Sequence, residues 1–400
     1  MTRENFLKIL GLYLLAYLLS SSTAAAAHIN NKKLEKKMNK KSLASSWAHQ
    51  QIETNKAQEL AGDHRPLIAI IDTGADLSHP ALQNNLWTNP GESGLDSNGR
   101  SKSNNGIDDD QNGFIDDVNG WNFVNRSADI KDLHGHGTHI AGIISQTAPQ
   151  SRLLFLKYYD VNASPEENVQ HSLEAFRYAI QMKAEIINFS GGGPGYSAKE
   201  AAILKEAEKL NILLVAAAGN DGVNTDRHPY YPAAYPLSNI LAVTAHDSSL
   251  RLPLYANYGL RSVSIAAPGD EIISSLPQGN YGEMSGTSQA TAFASGAAAL
   301  ILSQAPHLPQ EIIRKMIASG ISEPQLKNKS AAGVRLSALR SLVMKDLSES
   351  AEGFHFENTA DMDNRAFMIN HSVDSLIDQI PLPGNLLPIG RSATFGRNQF

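Results

Sequence analysis

Cysteine is absent from all 400 residues. That absence excludes disulfides, a thiol nucleophile, thiolate zinc sites and a lipidated N-terminal cysteine together. Charged side chains are sparse at 18%, beside 42% apolar residues, a balance that fits a globular protein with a sizeable core. No internal repeat is visible. The apolar run at the N-terminus, residues 9–19, is too short to span a bilayer, which needs about 20 residues. A basic excess is missing as well. The whole chain carries −6, the first 27 residues +1 (Arg3, Glu4, Lys8), and residues 28–41 +5 from six Lys and one Glu, which leaves −12 for residues 42–400. An acidic body argues against nucleic acid as a partner.

What is present begins with Arg3 and Lys8, then the short apolar run, then the small residues 20–27. This order of charged start, apolar centre and small-residue end reads as a secretory signal over 1–27, cleaved near Ala25 to Ala27. It predicts a secreted or periplasmic protein with no stable membrane anchor after cleavage. The lysine-rich leader, residues 28–46, reads as a solvated segment, with contact to an anionic surface as the lesser reading. An exported chain without disulfides needs stability from elsewhere, and bound calcium is one candidate.

Residues 66–71 form a continuous apolar run that stops at Asp72-Thr73-Gly74, the pattern of a buried parallel strand. Similar runs cover 153–156, 186–189, 212–218, 240–243 and 263–266. Between several of them lie helical periods, such as Val169, Leu173, Phe176 and Ile180, and Leu204, Ala207 and Leu210. Alternating strands and helices predict an α/β fold with a mostly parallel central sheet wrapped by helices. Function in such sheets collects at the carboxyl ends of strands. Those ends carry Asp72, Ser190-Gly191-Gly192-Gly193 and Gly219-Asn220, as one cleft or as ordinary turns.

Two stretches carry chemistry. Gly286-Thr287-Ser288 precedes an alanine-rich apolar run, residues 291–302, that reads as a buried helix. A serine there stands where helix N–H groups favour developing negative charge, although the same tripeptide also caps ordinary helices. His134, His136 and His139 fall within six residues. They admit either one general base with structural companions, or three ligands of a metal. A hydrolytic serine needs a base, a carboxylate that fixes the base's tautomer, and a donor for the oxyanion. Asp72, His136, Asn220 and Ser288 supply these in an established triad order.

Asp72-Thr73-Gly74, His136-Gly137-Thr138-His139-Ile140-Ala141-Gly142, Ala217-Ala218-Gly219-Asn220 and Gly286-Thr287-Ser288 each resemble a signature block of the subtilisin-like serine proteases, in that family's order. The resemblance covers roughly residues 47–339. It implies the three-layer subtilisin-like architecture, a serine endopeptidase acting on polypeptides without a catalytic cofactor, and a monomer with one catalytic domain, residues 47–343. By this resemblance Asp72 orients, His136 is the base, Ser288 the nucleophile and Asn220 the oxyanion donor, while His134 and His139 are structural. Ser190-Gly191-Gly192 resembles the edge strand that pairs with substrate, and Ala217-Ala218-Gly219 one wall of the pocket for the residue before the scissile bond. Small residues there leave room, so an apolar or sizeable side chain is expected to fit. Tyr231-Pro232-Ala233 resembles a block near that pocket whose Tyr-Pro bond can be cis.

Two departures stand out. Where the family usually has proline and often histidine, this chain has Ala292 and Phe293, a change expected to loosen the turn and spare activity. Gly191 stands where leucine is common, which predicts a less apolar and less selective cleft. Within the acidic insertion, residues 92–122, Asp108, Asp110, Asn112 and Asp116 occupy positions 1, 3, 5 and 9 of a calcium loop, with Gly113 at 6, the Phe114 carbonyl at 7 and Asn119 at 12. They are the predicted calcium ligands. Trp47, Ile52 and Ala57 resemble the short segment leading into the first strand, and the leader is too short for a large inhibitory prodomain. The tail, residues 344–400, shows no clear helical period and reads as loosely ordered, or as a processed or targeting extension. Other readings of the chain are an inactive relative that binds peptides, suggested by Ala292 and Phe293, and a metallohydrolase built on His134, His136 and His139.

Overall fold

In the computed structural model, residues 46–349 are described. The expected signal, the leader before Ser46 and the tail beyond Glu349 lie outside them. The chain divides into one unit ending at Leu342 and a second beginning at Val343, and of the second only the helical residues to Glu349 are described.

Two short helices, α1 (Trp47–Gln51) and α2 (Thr54–Glu59), precede the first strand, β1 (Leu67–Asp72). Then follow β2 (Gly120–Asn122), α3 (His136–Thr147), β3 (Arg152–Lys157), α4 (Pro165–Gln181), β4 (Ile186–Phe189), α5 (Ala198–Lys209), β5 (Leu213–Ala217), β6 (Ile240–His246) and β7 (Ile265–Pro268). A hairpin, β8 (Ile272–Leu276) and β9 (Asn280–Met284), leads to α6 (Thr287–Gln304), α7 (Gln310–Ala318), β10 (Ile321–Ser322), β11 (Val334–Arg335) and α8 (Ala338–Glu349). Nine strands form one sheet in the order β10-β11-β7-β6-β5-β4-β1-β3-β2, parallel throughout except for the β10–β11 pair.

Every residue of β1, β4, β5 and β6 is buried, as expected for strands covered on both faces. Alternation sorts them. Leu67, Ala69 and Ile71 of β1, Leu154 and Leu156 of β3, Ile187 and Phe189 of β4, and Leu214 and Ala216 of β5 share one core with Leu173 and Phe176 of α4 and Leu204 and Ala207 of α5. The opposite face meets α6, where the buried Asn188 of β4 accepts a hydrogen bond from Ser295 Oγ at 2.8 Å. The architecture is therefore three layers, helices over both faces of a mostly parallel sheet, as predicted. Helix starts follow local chemistry. Ser164 and Glu167 form a reciprocal capping box ahead of Pro165, and Ser197 Oγ accepts from Glu200 N at 3.2 Å.

The alanine-rich run is α6, buried from Thr287 to Ser303. Phe293 lies in it at 1% exposure, its ring meeting the His49 imidazole of α1 edge-on at 5.1 Å. The residue that departs from the family pattern is thus a core side chain filling the gap between α6 and the N-terminal segment. Burial drives the His49 imidazole down to about 4, so it packs there uncharged. Phe293→Ala should lower the unfolding free energy by about 3–5 kcal/mol in denaturant titrations. Leu210→Ala, at a side chain 55% exposed, should stay within about 0.5 kcal/mol.

Candidate active site

The parallel order brings the carboxyl ends of β1, β4 and β5 side by side. Asp72 is the last residue of β1 and is 3% exposed. Its Oδ1 accepts from Thr73 N at 2.8 Å and lies 2.7 Å from His136 Nδ1. That contact leaves Nδ1 carrying the proton and turns Nε2 toward the cleft. His136 opens α3, whose first turn is held by a residue the sequence reading missed. Asp132, buried at 3% exposure, accepts from His134 N (3.0 Å), Gly135 N (2.7 Å), Thr138 N (2.9 Å), Thr138 Oγ1 (2.7 Å) and Thr73 Oγ1 (3.0 Å). Thr73 Oγ1 in turn accepts from Gly137 N at 2.9 Å. The sequence did carry a signal, an Asp just ahead of a helix start. Burial pushes the Asp132 carboxyl up, but the donors gathered around it outweigh burial and hold it below the usual range.

Ser288 lies at the second position of α6, with its side chain nearly buried. Its Oγ donates to the Ser190 carbonyl at 3.0 Å, so in this form the serine and His136 are not hydrogen-bonded to each other. Catalytic contacts of this kind commonly tighten only once substrate is bound. Asn220 Oδ1 accepts from Thr287 N (2.9 Å) and Thr287 Oγ1 (3.1 Å). A backbone N–H can only donate, which fixes the oxygen on that side and leaves the Asn220 NH2 on the open side of the turn. Thr287 is the second positioning residue that motif reading passed over.

The other site residues fall around this group. Ser190, Gly191 and Gly192 follow β4, and Gly193 pairs with Tyr231 through N–O contacts of 2.9 and 2.7 Å. Ala217 ends β5, Ala218 and Gly219 follow it, and Gly219 N donates to Thr287 Oγ1 at 3.2 Å. The Tyr231–Pro232 bond is cis. One expectation about this cleft needs correction, the room read beside Gly219. The Tyr230 ring lies close to both Gly192 and Gly219, and the Tyr158 hydroxyl lies over Gly191.

The three histidines do not converge. His139 is buried with Nε2 against the carbonyls of Ile272 (3.0 Å) and Gly282 (3.2 Å), His136 faces Asp72, and His134 is exposed with its ring 6.3 Å from that of His136. The calcium-loop ligands are also sorted differently from their spacing. Asp108 accepts from Asn112 N and Gly113 N, and Asp116 from Asn105 N and Gly106 N, so both carboxylates serve the backbone of the loop. Among the described residues the group of carboxylates that could share a cation is Glu92, Asp110 and Asp117, whose ligand atoms all lie within 4.8 Å of one another. Asn112 reaches this group through its amide, 2.9 Å from Asp117 Oδ2. Glu92 and Asp117 were not singled out in the sequence.

A family model described as the subtilase family matches residues 63–335. The major intracellular serine protease of Bacillus subtilis (strain 168) is 32% identical over 247 residues, 59% of this chain and 68% of that protein. Thermitase of Thermoactinomyces vulgaris is 32% identical over 269 residues, 64% and 82% of the two chains. The cell wall-associated protease of Bacillus subtilis (strain 168) is 34% identical over 261 residues, although the match spans only 25% of its length. Among solved structures, a lanthipeptide protease shares the fold with a TM-score of 0.60 at 21% identity, covering 74% of this chain and 94% of that one.

Burial works to lower the His136 pKa, and the Asp72 charge and hydrogen bond, helped by Asp132, overcome it and raise the imidazole above 6.5. In an NMR titration His136 should therefore release its proton above 6.5. Asp72→Asn removes the raising charge and leaves burial, so the midpoint should drop. An unchanged midpoint in that variant would break the assignment of Asp72 as the partner.

Proposed function

The chain belongs to the subtilase family and is a serine-type endopeptidase, and from that premise we propose an exported enzyme whose acyl-enzyme forms on Ser288. In this mechanism Ser288 Oγ swings from the Ser190 carbonyl to His136 Nε2, gives up its proton there and attacks the scissile carbonyl carbon. The carbonyl π electrons move onto oxygen, and the Asn220 NH2 and the helix N-terminus receive that charge. Protonated His136, held by ionised Asp72, then passes its proton to the departing amine as the C–N bond breaks. Water, deprotonated by the same imidazole, cleaves the ester and restores the serine.

The observation that carries this reading is the fixed Asp72–His136 contact at 2.7 Å beside an Asn220 amide turned by Thr287. Polypeptides are the substrates, and the domain is proposed to act as a monomer without nucleic acid, membrane anchor or catalytic cofactor. The signal-like residues 1–27 support export. Relatives include both an intracellular and a cell wall-associated protease, and no helix among the described residues is long and apolar enough to cross a membrane.

A structural calcium ion in the acidic insertion belongs to the same proposal, with the ligand set Glu92, Asp110 and Asp117 and the Asn112 amide beside it. Glu92 supports it best, because this residue is fully buried and its Oε2 has no hydrogen-bond partner. Hard carboxylate oxygens suit calcium, and a cation relieves two buried carboxyls that burial otherwise raises. Its chemistry is neutralisation and cross-linking of the insertion.

A fluorophosphonate probe should label intact protein at Ser288. Ser288→Ala should cost on the order of 10⁶ in kcat and Asn220→Ala about 10²–10³, the magnitudes of this chemistry in related enzymes. Absent labelling together with an undiminished proteolytic rate in Ser288→Ala would end the reading. For calcium, a hundredfold excess over Kd should add ~2.7 kcal/mol of stability. Chelation should lower Tm without changing the initial rate at low temperature, and Glu92→Gln should make Tm indifferent to calcium.

A further inference from the structure

Both walls of the cleft begin at the nucleophile. Ser288 Oγ touches the Ser190 carbonyl at 3.0 Å, and Gly219 N touches Thr287 Oγ1 at 3.2 Å. The space between the segment from Ser190 to Gly192 and the segment from Ala217 to Gly219 is therefore the first space beside a carbonyl under attack. It is already taken. A Cβ placed on Gly192 would stand 2.5 Å from Tyr230 Cε1, and one placed on Gly219 would stand 2.9 Å from both Cδ2 and Cε2 of the same ring. Opposite edges of one phenol ring thus rest against glycines on opposite walls. These glycines admit the ring; they do not leave a hole for substrate.

The backbone that carries the ring is fixed. Tyr230 O accepts from Ala234 N at 2.9 Å, and the adjacent Tyr231 is bridged to Gly193 in both directions. Half-buried, the phenol is pushed up to about 12 by burial, with Asp221 adding to the effect, so it stays neutral over the working range of a protease. Tyr158 fills the neighbouring gap in the same way, its hydroxyl 2.1 Å from where a Gly191 Cβ would stand. Its position is set by Tyr158 N donating to Asp72 O at 3.0 Å.

We propose that Tyr230 occupies the pocket for the residue before the scissile bond, so that this enzyme selects polypeptides with glycine, alanine or serine at that position. The inference rests on the endopeptidase reading above. It follows from close packing: an aromatic or long aliphatic side chain can enter only by expelling a ring wedged between two backbones, whereas a methyl or hydroxymethyl group needs no such movement. Differences of single methylenes in a pocket give about 10–200-fold discrimination. Expelling a whole ring should give more than one such step.

The test uses the exported full-length protein and peptide p-nitroanilides that differ only in the last residue. Alanine should exceed phenylalanine by about 100-fold or more in kcat/KM. Tyr230→Gly should reverse the preference, and Tyr230→Phe, which keeps the ring, should retain it. Peptide aldehydes ending in alanine or phenylalanine, competing with fluorophosphonate labelling of Ser288, read the same fit without turnover. Labelling combined with an equal or better use of phenylalanine by the unsubstituted enzyme would overturn the pocket assignment alone, even if Tyr230→Gly failed to fold. Failure of the probe to label at all would overturn the peptidase reading, and this inference with it.

Discussion

The structure depends on one buried carboxylate that never meets substrate. Asp132 draws together the N–H groups that open α3 and the hydroxyl of Thr73, which follows the last residue of β1. Two elements far apart in sequence are locked through a handful of charge-assisted hydrogen bonds, each stronger than a neutral one. The distance between Asp72 and His136 is a by-product of that lock. The geometry proposed for His136 and Asp72 needs supporting residues that cannot relax, and here the support is as buried as the sheet itself.

Much of this was legible in the sequence for a physical reason. Strands covered on both faces must be apolar along their length, so residues 66–71, 186–189 and 240–243 declared themselves without ambiguity. The β8–β9 hairpin did not, because no residue from Asn280 to Met284 is buried and the strand mixes polar residues with glycine. Very short strands such as β2, β10 and β11 are set by pairing with their neighbours and leave no period to read. The residues of the proposed triad could be nominated from the sequence because each sits in a contiguous block that resembles a family signature.

What stayed hidden was everything decided by competition for space or charge between distant segments. Ala217, Ala218 and Gly219 suggested room for a side chain, yet a glycine marks close approach without saying what approaches, and the Tyr230 ring comes from another segment. The acidic insertion illustrates the same limit with charge. Its spacing nominated Asp108 and Asp116, but the carboxylates that gather around Asp110 are Glu92 and Asp117. Glu92 arrived from the start of the insertion, its Oε1 taking Asp109 N at 2.7 Å. A departure from family pattern also changed meaning in three dimensions, since Phe293 is a packing residue against α1.

The N-terminal helices are stitched to the far end of the same unit. Arg335 Nη1 donates to Gln51 O at 2.7 Å, Ala338 N to Ile52 O at 2.9 Å, and Ser337 Oγ to Glu53 Oε2 at 2.9 Å. The two segments therefore share one seam, with α6 beneath it. Among the described residues, loss of 46–53 would open the contacts to Arg335, Ser337 and Ala338 together with the edge of the Phe293 ring.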